Sequence, residues 1–142
     1  MLITRELYLS RIREYYDADL IKVLTGIRRA GKSKILEQII DELKERGIND
    51  AQIVFINFED LDFQYLNTAN KLNEYVKSKI IDDRKYYLFF DEIQHVKDFE
   101  KAIASFKATK NCSIFVTGSN SKLLSGELAT LLVGRTVEFK IF

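Results

Sequence analysis

The stretch Gly26-Ile27-Arg28-Arg29-Ala30-Gly31-Lys32-Ser33 constrains the fold more than any other. Two glycines with four residues between them, followed by Lys and Ser, form a phosphate-binding pattern when they join a strand to a helix. Both neighbours are legible. Before the pattern, Leu20-Ile21-Lys22-Val23-Leu24-Thr25 is short, apolar and β-branched, which predicts a buried strand. After it, Ile35, Leu36, Ile39, Ile40 and Leu43 recur at helical spacing as far as Gly47, a helix stop, and Lys44 and Arg46 suit the negative end of the helix dipole. In this order the glycines let the backbone turn tightly and aim its N–H groups at phosphate oxygens, while the helix N-terminus adds positive potential.

The segment expected to bind nucleotide is therefore Gly26, Ile27, Arg28, Arg29, Ala30, Gly31, Lys32, Ser33 and Lys34. Lys32 is expected on the β- and γ-phosphates, and the Ser33 hydroxyl on the Mg²⁺ that bridges them. Arg28 and Arg29 either add positive potential over the phosphates or face water.

A second segment complements the first. Tyr86-Tyr87-Leu88-Phe89-Phe90 is an apolar run that ends abruptly in Asp91-Glu92. At the end of such a strand Asp91 is expected to hold Mg²⁺ through its water shell, opposite Ser33. Glu92 beside it is suited to take a proton from an attacking water or to orient it, which makes hydrolysis the leading chemistry. Ile93-Gln94-His95-Val96 reads as the continuing loop. His95 is the sole histidine, and with a single cysteine elsewhere it reads as a loop residue, not a metal ligand.

Two further positions fall into this scheme. Ser113-Ile114-Phe115-Val116-Thr117 predicts a strand that ends in Gly118-Ser119-Asn120. Polar groups there either feel the γ-phosphate and the attacking water or form a plain turn. Arg135, after Gly134, sits at a helix-to-strand junction, either as an arginine finger toward a neighbouring subunit's nucleotide or as the partner of an acid.

The rest of the chain reads as a covering for a sheet. Tyr8, Leu9, Ile12, Tyr15 and Tyr16 share one face of a helix over 5–16, and Ile53 to Phe58 is a nearly continuous apolar strand of the kind found in parallel sheets covered on both faces. Glu59 and Asp60 read as a solvated loop. Ala69, Leu72, Tyr75, Val76 and Ile80 predict another helix, Asp98 is expected to cap the next (Phe99, Ala102, Ile103, Phe106), and Lys101, Lys107 and Lys110 form its solvated face. Leu123, Leu124, Leu128, Leu131 and Leu132 predict one more helix. Val137 to Phe142 alternates as a fifth strand and stops without a polar tail, which predicts a chain cut at a domain edge.

Composition bounds the function classes. With 142 residues, 46% hydrophobic and 30% charged, the chain suits one globular domain and not a disordered one. A formal charge of +1 gives no global attraction to nucleic acid or an anionic membrane. Cys112 is the only cysteine, so no internal disulfide forms; the expected reading is a small buried residue in a strand, in a reducing interior. The early charges of Arg5 and Glu6 argue against a secretory signal, and no run reaches membrane-spanning length, so the expectation is a cytoplasmic protein without a membrane partner.

With Gly-Ile-Arg-Arg-Ala-Gly-Lys-Ser at 26–33, Phe-Phe-Asp-Glu-Ile-Gln at 89–94, Thr-Gly-Ser-Asn at 117–120 and Gly-Arg at 134–135, the sequence resembles the AAA-type P-loop ATPase domain of bacterial and archaeal proteins that carry a further C-terminal domain of uncertain function. The resemblance spans nearly the whole chain. It implies an α/β fold with a central parallel five-stranded sheet in the order 5-1-4-3-2, over a single domain, 1–142, that is the N-terminal part of a longer protein. By the same resemblance Lys32 and Ser33 bind ATP and Mg²⁺, Asp91 supports the metal, Glu92 activates water, and one of Thr117, Ser119 and Asn120 is the sensor, with Ser119 the expected one.

Two functions follow. One is Mg-dependent ATP hydrolysis coupled to an unknown partner or process. The alternative is a nucleotide-dependent interaction module with little hydrolysis of its own, completed by another subunit or segment. Self-association or a protein partner fits both, whereas nucleic acid lacks an aromatic platform or helix-turn-helix signal in the sequence. A kinase is disfavoured by Glu92. Asn70-Lys71-Leu72-Asn73 lacks the terminal Asp of a guanine-recognition motif and precedes the Asp91 strand, which disfavours a GTPase.

Overall fold

The computed structural model describes residues 2–26, 31–119 and 134–142, with side chains from residue 5 onward. The expected roles of Ile27, Arg28, Arg29, Ala30 and Asn120, and the leucine-rich helix over 123–132, lie outside the described residues. In chain order the elements are α1 (Leu2–Ile12), β1 (Ile21–Thr25), α2 (Lys32–Glu45), β2 (Ile53–Asn57), α3 (Ala69–Lys79), β3 (Tyr86–Asp91), α4 (Phe99–Thr109), β4 (Cys112–Gly118) and β5 (Thr136–Lys140). Short 3₁₀ turns follow α1 and precede or follow β2 and β3.

All five strands are parallel and lie in the order β2-β3-β4-β1-β5, the order the resemblance implies read from the other edge. β4 lies between β1 and β3 although it comes last of the three in sequence, so the C-terminal ends of β1 and β3 flank that of β4. Ligands bind at that edge in open parallel sheets.

Alternation along each strand splits the core in two. Ile21, Val23, Leu88, Phe90, Ile114 and Val116 pack against α3 and α4 through Leu72, Val76, Ile103 and Phe106. Leu24, Phe89 and Phe115 pack against α1 and α2 through Leu9, Ile12, Ile35, Leu36 and Ile39. Phe89 and Phe115 stack across β3 and β4, 4.6 Å between centroids. Each such buried side chain contributes roughly 1.5–3 kcal/mol.

The helix ends show why these residues stop where they do. Gly47 (φ +96) terminates α2 by donating its N–H to Lys44 while Ile48 donates to Leu43, the paired bonds of a Schellman cap. Thr68 Oγ1 accepts the Lys71 N–H at the start of α3. α1 is tied to α2 by Arg13, whose guanidinium grips Glu42 with bonds of 2.9 and 2.8 Å, and by the Tyr16 hydroxyl on the same carboxylate.

Four expectations need correction. The first helix ends at Ile12 and tightens into a 3₁₀ turn over Arg13–Tyr15. β2 is an edge strand, so only Val54 and Ile56 are fully buried while Ile53 and Phe55 are half-buried. Asp98 precedes α4 in the left-handed region (φ +59) and makes no side-chain cap bond. Lys107 does not join a solvated face, because its ammonium bonds the Asp19 carboxylate at 2.7 Å and the Asp19 carbonyl.

Candidate nucleotide site

Gly26 and Gly31, on either side of residues 27–30, are glycines for different reasons. A Cβ on Gly26 (φ +151) would lie 2.3 Å from the Ile141 carbonyl oxygen, so backbone closeness as well as conformation demands glycine. Ile141 is held there by its N–H on the Thr25 carbonyl at 2.7 Å. Gly31 has open space around it, but its φ of +89 is one that other residues enter only with strain.

α2 begins directly after Gly31, so Lys32 and Ser33 occupy its first turn at the C-terminal edge of the sheet. Lys32 is only 2% exposed. Its ammonium donates to the Gly26 carbonyl at 2.6 Å and the Gly118 carbonyl at 3.2 Å, and lies 3.5 Å from the Glu92 carboxylate. The Ser33 hydroxyl donates to Asp91 Oδ2 at 2.5 Å. Residues 58 positions apart in sequence thus meet because β1 and β3 end side by side around β4.

Thr117, at the end of β4, joins both acids. Its hydroxyl donates to Asp91 Oδ1 at 2.5 Å and accepts the Glu92 N–H at 2.9 Å. Burial raises the Asp91 carboxyl above its ordinary range, opposed by the Ser33 and Thr117 hydroxyls. Glu92 has φ +58, a left-handed conformation that costs a non-glycine residue of order 1 kcal/mol and that recurs at functional sites. That turn swings its side chain back toward Lys32, and Gln94 Nε2 donates to Glu92 Oε1 at 2.7 Å.

Lys32, Ser33, Asp91, Glu92 and Thr117 therefore form one connected cluster. Ser119 lies next to it, half-buried, one residue beyond the Gly118 carbonyl that receives Lys32. Arg135 is elsewhere: it is exposed, and its carbonyl accepts the Ile21 N–H at the start of β1, at the edge of the sheet opposite Lys32. There it lines a cleft of about 340 Å³ with Asp19 and Lys107. Lys34 is exposed and pairs with Glu37 at 3.7 Å.

Three participants carry no role in the sequence reading: the carbonyl of Gly118, the amide of Gln94 and the double use of Thr117. Gln94 was visible as the fourth residue of Asp-Glu-Ile-Gln. Backbone carbonyls leave no sequence signal.

The donor set suits Mg²⁺, which takes hard oxygen ligands such as carboxylate, hydroxyl, phosphate and water. Ser33 supplies a hydroxyl, and Asp91 a carboxylate beside it that can hold the ion's water. Among the described residues no group of three or more His, Cys, Asp or Glu could hold a metal ion. A Mg²⁺ at this position would take the Ser33 hydroxyl, phosphate oxygens and waters as ligands, with Asp91 holding one of those waters.

The parallel sheet with β4 between β1 and β3, and a lysine and serine opening the helix after β1, define a P-loop NTPase fold. The chain belongs to the AAA domain family, whose model matches residues 18–142. An uncharacterized protein of Haemophilus influenzae is 42% identical over 142 residues, 99% of this chain, which spans about a third (36%) of that relative. A DNA polymerase III gamma subunit-related protein from Thermotoga maritima is similar in fold, with a TM-score of 0.65 at 11% identity over 98% of this chain and 46% of its own. The ORC2 protein of Aeropyrum pernix, in its ADPNP–ADP complexes, has a TM-score of 0.61 at 8% identity, with 98% and 46% covered.

Proposed function

We propose that this domain binds Mg-ATP and hydrolyses it to ADP and phosphate, coupled to a process carried by a partner or by other parts of the protein. One observation carries the reading: the Ser33 hydroxyl meets the Asp91 carboxylate at 2.5 Å while Lys32 and Glu92 lie in the same cluster. Family membership and the adenine-nucleotide complexes of the ORC2 neighbour support ATP as the nucleotide.

Lys32 binds the β- and γ-phosphates by exchanging its carbonyl and carboxylate partners for phosphate oxygens. Ser33, with Asp91 acting through a water, would hold Mg²⁺, which would supply neutralisation of charge on the phosphates. Glu92 takes a proton from water as the water oxygen bonds to the γ-phosphorus. The bond from that phosphorus to the β–γ bridging oxygen breaks, and ADP leaves with the electron pair. Thr117 keeps both acids in register, and Ser119 is the polar group assigned to sense the γ-phosphate. Arg135, remote from its own site, acts on a neighbouring subunit's nucleotide if the domain self-associates. No helix among the described residues is long and apolar enough to cross a membrane, and we assign the domain to the cytoplasm.

The test is a pair of variants. Lys32→Ala abolishes nucleotide binding, whereas Glu92→Gln keeps binding and loses turnover. Equal loss of binding in both would sink the reading. The second reading, a module that binds ATP and scarcely hydrolyses it, is favoured by the Lys32–Glu92 pair, which occupies the carboxylate needed as base. It expects phosphate release to stay at background at every protein concentration.

A further inference from the structure

Glu92 is held at three points. Its N–H is on Thr117, one carboxylate oxygen faces Lys32 at 3.5 Å, and the other accepts the Gln94 amide at 2.7 Å. A carboxylate only accepts, so the side of the Gln94 amide that faces it is the NH₂. The other end of the same amide, Oε1, is buried and finds no hydrogen-bond partner among the described residues. Buried carbonyl oxygens without a partner are uncommon, and their cost is comparable to that of a lost hydrogen bond.

We propose that Gln94 is a positioning residue for hydrolysis: its NH₂ fixes the Glu92 carboxylate, and its carbonyl oxygen is the acceptor for the second O–H of the water that Glu92 activates. This rests on the reading of the site as an ATP hydrolase. When Lys32 turns to the phosphates, Glu92 loses its contact with the ammonium. Gln94 then remains as the side-chain donor that keeps the carboxylate from swinging in an arc around its strained backbone. A water between the two residues donates one proton to Glu92 and one to Gln94 Oε1, which fixes its lone pair in a single direction. Orienting the nucleophile is a large part of what catalysis requires in phosphoryl transfer.

The probes are Mg-ADP and Mg-ADP with aluminium fluoride, the latter a mimic of the state with water in line, titrated by calorimetry into the intact protein and into Gln94→Met. Methionine keeps the length and volume of the side chain and removes both hydrogen-bonding groups. The expected result is an unchanged affinity for Mg-ADP and an affinity for the fluoride complex that falls about 10- to 100-fold, the range of one hydrogen bond to a charged group. Turnover falls by a similar factor with KM within about threefold. In a Glu92→Gln background the same substitution adds little, because the two residues act as a unit.

Equal weakening of both complexes makes Gln94 merely structural and overturns the proposal, as does a Gln94→Met protein with the affinities and turnover of the original. Gln94→Glu, which keeps an acceptor but sets a second carboxylate against Glu92, also loses affinity for the fluoride complex. Normal behaviour of that variant overturns the role of the NH₂. If the unaltered protein binds neither probe, or binds both without preferring the fluoride complex, the hydrolase reading itself falls and takes the role of Gln94 with it, whereas a Gln94→Met protein that keeps the full preference of the original removes Gln94 alone.

Discussion

The ammonium of Lys32 lies 3.5 Å from the Glu92 carboxylate, so the expected phosphate-binding cation and the expected base neutralise one another. Phosphate must compete with that carboxylate for the same lysine. Glu92→Gln removes the competitor and one negative charge near the nucleotide. ATP should then bind about 5- to 30-fold more tightly, the equivalent of ~1–2 kcal/mol. Titration of the variant against the original protein measures it, and an unchanged or weaker affinity contradicts the competition.

Thr117 serves two acids with one hydroxyl. Thr117→Val keeps the shape and leaves the Glu92 N–H without its acceptor. Unfolding in urea should show a loss of ~1–3 kcal/mol, together with a fall in turnover. Thr117→Ser, which retains the hydroxyl, should recover most of both. A valine variant as stable and active as the original would mean the hydroxyl holds nothing in register.

The two loop glycines should respond differently to alanine. At Gly31 only backbone strain is incurred, ~1–2 kcal/mol. At Gly26 the added carbon meets the Ile141 backbone oxygen at 2.3 Å, and the tail of β5 has to move, so the loss should exceed ~3 kcal/mol. Thermal unfolding of the two variants side by side checks the order.

Lys22 gives a pH dependence unrelated to the nucleotide. It is fully buried on β1, donating to the Ala18 carbonyl at 3.0 Å and to Ser113 Oγ at 2.7 Å above the Phe115 ring. Burial, aided by Lys85 and Lys107, lowers its pKa to about 7, against the smaller opposing effects of Asp17 and Cys112. Between that value and 10.5, where an unburied lysine titrates, the unfolded chain holds a proton that the folded one has released. Stability therefore rises with pH across this window, and the penalty is complete below about pH 7. Burial pushes the neighbouring Cys112 thiol up to about 11 and also raises Tyr16 and Tyr87, so the lower part of the window reports Lys22. From pH 7 to 9 the gain should be of order 1–3 kcal/mol and should vanish in Lys22→Met. A flat profile in the unaltered protein would show that Lys22 stays charged.

The segments with chemistry were legible because their residues are contiguous: a glycine pattern between strand and helix, and an apolar run closed by two acids. What pairs with what was not. Strand spacing in sequence carries no sheet order, and the placement of β4 between β1 and β3 came only with the resemblance. β2 reads as doubly covered because Ile53-Val54-Phe55-Ile56 is apolar throughout, yet its position at the sheet edge half-exposes alternate side chains. Lys22 sits in an apolar strand without any local mark of its surroundings. Its acceptors, the Ala18 carbonyl and Ser113, are a backbone atom and a residue 91 positions away. Asp98 looks like a cap by type alone, but its left-handed backbone prevents the bond.

Ile141 is stitched to Thr25 by its amide and lies against Gly26 with its carbonyl. The exit of the fifth strand and the entrance of the glycine loop thus move as one piece. A tug on the backbone at residue 141 reaches Thr25 and Gly26 through main-chain atoms, which gives the domain a mechanical handle at the end of β1.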